Sequence, residues 1–285
     1  MRRTVAPLAA LVSLAWLASS AAAAESPRRV ASLNLTADEI LAEILPPGRL
    51  VGVTRFADEV GTSNVVGRVP ASVVRFPKAD IERLIALDPD LVVVSEYTDA
   101  DFLRLLERSG LRVHQMRGLD SMAGVRQAVL DLGRAVGESA AAERLVARFD
   151  ATLADLRGRL RGAASPRVLY WANPHTAGAG TAIGALIECA GATNAGAQMG
   201  LRGIVPLGAE RAFVADPDVL LVGTGWGTLQ ALREHPLLSK MRAVQQGRTV
   251  ELPTELLVTL SHHAARACWT LAHALHPDRV PTPQP

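Results

Sequence analysis

The chain has 285 residues, with 30 Lys and Arg against 28 Asp and Glu. Two of those arginines, Arg2 and Arg3, lie in an N-terminal leader. Without them the charges balance at 28 each, which excludes the basic excess that a nucleic-acid or anionic-membrane partner requires.

In chain order, the leader comes first. Arg2 and Arg3 form a basic start, Leu8–Leu17 an apolar stretch, and Ala22-Ala23-Ala24 a small-residue cleavage site before Glu25. The apolar stretch is shorter than the roughly 20 residues of a membrane span. Residues 1–24 therefore read as a cleavable signal peptide. No Cys lies near it, so a lipid anchor is not expected and the destination is the periplasm. About 260 residues follow, enough for two modest domains.

The mature chain alternates short apolar runs with amphipathic ones. Strands are expected at Val30–Leu33, Leu50–Val53, Leu91–Val94 and Val113–Met116, then at Val168–Trp171, Val219–Val222 and Val250–Leu252. Helices are expected at Ala37–Ile44, Ile81–Leu87, Phe102–Arg108 and Met122–Val136, then at Ile183–Ala190, Glu210–Ala215 and His262–Leu275. Unbroken apolar strands between helices predict parallel sheets covered on both faces. Between the two sets lies Glu138–Gly162, where Leu145, Phe149, Leu153, Leu156 and Leu160 recur at helical steps. A helix of that length is too long for a crossover on a small sheet. The reading is α/β: two doubly wound parallel-sheet lobes, residues 25–137 and 163–285, joined by a long spine helix at 138–162.

One block occurs twice. Residues 80–94 read DIERLIALDPDLVVV and residues 208–222 read GAERAFVADPDVLLV. Each has a Glu-Arg pair, a short helix, Asp-Pro-Asp and a buried strand; Pro forces its predecessor out of the helix. Cys189 and Cys268 are the only cysteines, and an oxidising compartment favours their pairing.

These features resemble the helical-backbone metal receptors, periplasmic substrate-binding proteins of ABC importers that take up cobalamin, ferric siderophores or haem. The resemblance runs through RRVASLNLTADEILAEI at 28–44, RLVGVT at 49–54, the block at 80–94 and GAGTAIGALIECAGATN at 178–194. It implies a class III periplasmic binding protein, a monomer with no cofactor, which clamps a small-molecule metal chelate between its lobes. The chelate would be a corrinoid or an iron siderophore. It also implies that Glu82 and Glu210, one on each lobe, meet arginines of an inner-membrane permease, as bidentate carboxylate–guanidinium pairs can.

Ligands of doubly wound sheets meet the loops at the carboxyl ends of the strands. That rule nominates Asn34, Thr36, Arg55, Phe56 and Tyr97 from the first lobe. From the second it nominates Trp171, His175, Trp226, Glu255, Leu256 and His262. The resemblance adds Phe76, because cobalamin-binding relatives carry aromatics at positions matching Phe56 and Phe76. Further cleft tryptophans of those relatives correspond to Ser95, Ile204 and Leu256 here, which widens the expectation from cobalamin to siderophores. A haem or free Zn/Mn receptor and a secreted chelate-processing enzyme are the alternatives. The chain shows no nucleophile elbow, P-loop, dinucleotide fingerprint or Cys-Cys metal pair in its proper context, and GTGWG at 223–227 lacks the spacing of a phosphate cradle.

Overall fold

The computed structural model describes residues 26–225 and 229–283. The expectations for the leader and for Trp226 lie outside the described residues. The strands are β1 (Val30–Ser32), β2 (Leu50–Thr54), β3 (Val74–Phe76), β4 (Leu91–Ser95), β5 (Val113–Met116), β6 (Arg167–Tyr170), β7 (His175–Ala177), β8 (Thr193–Asn194), β9 (Ile204–Pro206), β10 (Val219–Gly223) and β11 (Thr249–Leu252). The helices are α1 (Leu35–Ile44), α2 (Ile81–Leu87), α3 (Ala100–Arg108), α4 (Met122–Ala135), α5 (Ser139–Arg159), α6 (Ala182–Cys189), α7 (Ala195–Gln198), α8 (Ala209–Ala215), α9 (Leu229–Glu234), α10 (Arg242–Gln245), α11 (Thr254–Leu257) and α12 (Ala264–Leu275).

Two parallel sheets form, one per lobe. The first has the order β3-β2-β1-β4-β5 and the second β11-β10-β6-β8. The central pairs correspond: Val30 pairs with Leu91 in the first sheet, Val168 with Val219 in the second. The second sheet thus repeats the inner order of the first without a partner for β3. In its place the second lobe carries an antiparallel pair, β7 with β9.

The repeated block builds the same corner in both lobes. Helix α2 ends at Asp88 and α8 at Asp216, both in the left-handed region, with φ of 50° and 37°. Among the described residues these are the only non-glycine positions with positive φ. An aspartate tolerates that conformation better than most residues. The second Asp of each block then anchors the strand start: Asp90 accepts the Arg29 N–H at 2.8 Å, and Asp218 accepts the Arg167 N–H at 2.9 Å. The same arginines cap the helices. Arg29 donates to the carbonyls of Leu87 and Asp88, and Arg167 to those of Ala215 and Asp216.

Helix α5 is the spine, 21 residues and roughly 31 Å long. Its buried face crosses both lobes. Ala142, Leu145 and Val146 enter the first lobe's core, Phe149 meets Val125, Ala264 and Ala265, and Leu156 enters the second lobe's core. Gly133 on α4 lets the spine lie close, since a methyl there would overlap Ala142. No described helix is long and apolar enough to cross a membrane.

Candidate functional site

The carboxyl ends of the two sheets face each other. The loop leaving β2 meets the segment leaving β11, where the Asn64 side-chain amide donates to the Glu255 carbonyl at 3.1 Å. A second link comes from Glu39 on α1. Its Oε1 accepts the Asn64 N–H at 3.0 Å and the Asn64 side-chain amide at 2.8 Å; its Oε2 accepts the hydroxyls of Thr259 and Ser261. Arg266 completes the network by donating to Asn64 Oδ1 at 2.8 Å. Glu39 is fully enclosed, so the network replaces the water that its carboxyl group has lost.

Asp38, its neighbour, is also buried. Its Oδ2 accepts from the backbone and hydroxyl of Thr54, and its Oδ1 has no partner. Burial pushes the carboxyl up to about 7, and the bonds from Thr54 only partly offset it. Neither Asp38, Glu39 nor Asn64 was nominated from sequence. The available signal was two acids between Ala37 and Ile40-Leu41, on a helix whose buried face leaves little room for a solvated pair.

Several nominated residues do line the strand ends. Asn34 follows β1 and caps α1, accepting from the Ala37 N–H at 2.9 Å, while its own amide nitrogen is buried without a partner. Arg55 and Phe56 follow β2. The Arg55 guanidinium sits 4.8 Å from the centroid of the Phe56 ring, and both side chains are exposed. Tyr97 follows β4 and is 67 % exposed. On the second lobe, exposed His175 opens β7 after a cis Asn173–Pro174 bond, and Glu255 opens α11.

Other nominated residues belong elsewhere. Phe76, 2 % exposed, is core, because its ring lies against the backbone of Gly52 and packs with Leu84 and Leu87. Trp171, 3 % exposed, packs beneath the second sheet with Leu207, Leu238 and Met241. Leu256, 5 % exposed, fills the other face of that sheet with Leu221 and Leu252. Thr36 is buried in the first turn of α1. His262 does not reach the strand ends. The turn holding Thr259 and Ser261 on Glu39 directs it toward the far end of α1, where its Nε2 is 3.9 Å from Glu43. Burial lowers its titration to about 4 and that of His263 to about 3, with nearby arginines adding to the effect.

Glu82 and Glu210 are exposed in the first turns of α2 and α8. Each is followed one turn later by an exposed apolar side chain, Ile85 and Phe213 respectively. Cys189 on α6 and Cys268 on α12 face each other with Cα atoms 5.7 Å apart, the spacing of a disulfide.

A family model described as periplasmic binding protein matches residues 30–256. The chain belongs to the periplasmic binding protein family. A curated relative, the cobalamin-binding protein of Halobacterium salinarum, is 32 % identical over 220 residues, covering 72 % of this chain and 56 % of that protein. This periplasmic binding protein therefore spans little more than half the length of the curated relative. Among solved structures, the periplasmic haem-binding protein RhuT from Roseiflexus sp. RS-1 superposes with a TM-score of 0.76 at 26 % identity, covering 88 % of this chain and 98 % of that one. The periplasmic haem-binding protein BhuT, in complex with two haems, gives a TM-score of 0.74 at 26 % identity with the same coverage. The family and these neighbours are binding proteins rather than enzymes.

Proposed function

We propose that this periplasmic binding protein is the capture subunit of an ABC importer, and that its cargo is a flat metal macrocycle, a corrinoid first and haem second. It would be exported by a cleaved, unlipidated leader and act as a monomer. The observation that carries the delivery role is the matched corner of the two lobes, which presents Glu82 and Glu210 at equivalent exposed places, each beside an apolar side chain. Two carboxylates at equivalent places, one on each lobe, suit a docking function, where orientation matters more than the modest strength of exposed pairs.

The cargo class is supported by the Arg55–Phe56 ledge and by Tyr97 on the same edge of the first sheet. An aromatic face with a guanidinium over it suits a planar ring bearing carboxylate or amide side chains. The names of the relatives lean the same way, toward cobalamin and haem. Haem gains from Tyr97 and His175, either of which offers an axial ligand type. The siderophore half of the sequence expectation draws no comparable support.

Thermal-shift titration of the mature protein with cobalamin, haem and a ferric siderophore tests this reading. Stabilisation by a macrocycle is expected, with affinity at least tenfold weaker in Phe56→Ala and Arg55→Ala. Stabilisation by the siderophore alone would reject the cargo class, and turnover of any chelate would reject the binding role.

A further inference from the structure

Beyond the cleft, one group of side chains has the composition of a metal site. Glu43 lies in the last turn of α1, nine residues past Asn34 and so roughly 13 Å from the strand ends. His262 and His263 precede α12 in the other lobe. One ligand atom from each of the three lies within 4.8 Å of the others, and among the described residues no other group of His, Cys, Asp and Glu meets this condition. The imidazole rings are 4.0 Å apart, tilted by 38°.

A second observation points to a missing ligand. His263 Nε2 is buried and without a hydrogen-bond partner; on His262 the nitrogen facing Glu43 is Nε2, and the opposite one, Nδ1, is the buried atom without a partner. Buried polar atoms are rarely left so, and an unbound ion is one recognised reason. The cluster also opens on a pocket of about 600 Å³ between the spine and α12, walled by Arg148, Phe149, Arg266 and Trp269 among others, so an ion has a path in.

We propose that Glu43, His262 and His263 form a binding site for a borderline divalent metal ion, of which Zn²⁺ is the type, and that the ion clamps the two lobes together beside the middle of the spine. Two imidazoles and one carboxylate are the donor set that Zn²⁺, Co²⁺, Ni²⁺ and Cu²⁺ accept, with a fourth position left to water from the pocket. Donor atoms around a tetrahedral Zn²⁺ stand roughly 3.4 Å apart. Side-chain rotation closes the remaining distance. The groups facing Glu43 are His262, Arg68 and Arg148. Arg68 is 46 % exposed and leaves for solvent when the ion takes its place; Arg148, 4.0 Å away and also exposed, holds the second carboxylate oxygen. Because the ligands come from both lobes, the ion binds the assembled fold and not the separated lobes.

The test uses untagged mature protein, stripped with a chelator and titrated with Zn²⁺ by calorimetry and with Co²⁺ by visible absorption. One saturating equivalent is expected, with a ligand-field spectrum of low coordination number and a raised Tm. Glu43→Gln, nearly isosteric, and His262→Gln are each expected to weaken binding at least tenfold while His175→Gln and His235→Gln leave it unchanged. The apo Tm of each variant separates lost ligation from lost folding, and Glu43→Gln decides if a histidine variant fails to fold. Absence of saturable binding by either ion, binding undiminished in Glu43→Gln, or binding lost only in His175→Gln would overturn the site. None of these results bears on whether the cleft holds a macrocycle.

Discussion

The two lobes share a corner and differ in what surrounds it. In both, an arginine at the start of the first strand caps the helix of the Asp-Pro-Asp block, and the block's last aspartate holds that arginine's backbone. The helices that follow the first strands differ. Helix α1 carries Asp38 and Glu39 on its buried side, whereas the equivalent α6 buries only Gly184, Leu186 and Ile187. The second lobe also adds the β7–β9 pair and the Cys189–Cys268 link. Shared features thus fix the frame and the exposed glutamates. The differences lie in what each first helix buries, an acidic pair in the first lobe and apolar residues in the second, and in the second lobe's added strand pair and disulfide.

The largest test of that contrast is Glu39→Leu. It removes the acceptor of the Asn64 backbone N–H and of the Thr259 and Ser261 hydroxyls, and one of the two acceptors of the Asn64 side-chain amide. A buried donor left unsatisfied costs about 1–3 kcal/mol, and three lose their acceptor, so a loss of about 3 kcal/mol or more is expected in urea unfolding. A loss below about 1 kcal/mol would mean that the Glu39 network contributes little to holding the lobes together.

The shared corner is tested by a matched pair. Arg29→Ala and Arg167→Ala each remove two bonds from a guanidinium to helix-end carbonyls and should each cost about 1–3 kcal/mol. Their agreement within about 0.5 kcal/mol would support equivalence of the corners. A cost in one lobe only would break it.

A smaller effect belongs to the first lobe alone. Asp38 titrates near 7 when folded and near 3.8 otherwise, so between those values the folded state holds a proton that the unfolded chain lacks. This group therefore makes stability fall as pH rises from about 4 to 7. Asp38→Asn should flatten the slope relative to the native protein across that window, measured by urea unfolding at stepped pH. An unchanged slope would show that the carboxyl is ionised throughout.

Local patterns carried most of the fold. The runs at Leu91–Ser95 and Val219–Gly223 are continuous and apolar, and the Asp-Pro-Asp block signals its turn within a few residues. Strands β3, β7, β8 and β9 are not signalled because VRF, HTA, TN and IVP are two or three residues long, too short for an apolar run or an alternation to stand out. Arg29 and Arg167 were invisible as caps, since their partners lie about 50–60 residues away. The site was less legible still. Phe76, nominated by the resemblance, is core because its ring lies over Gly52. His262 looks like a cleft residue until Glu39 fixes the turn before it. Both outcomes depend on contacts between distant segments, which no local pattern records.

The most direct measurement of the central claim is paired: macrocycle affinity of the purified protein, and uptake of labelled cobalamin or haem by source cells lacking the chromosomal copy and complemented with each variant. For the double variant Glu82→Ala with Glu210→Ala, affinity within twofold of native and uptake reduced at least tenfold are expected, with each single variant in between. Native uptake by the double variant, or loss of affinity in parallel with uptake, would contradict it.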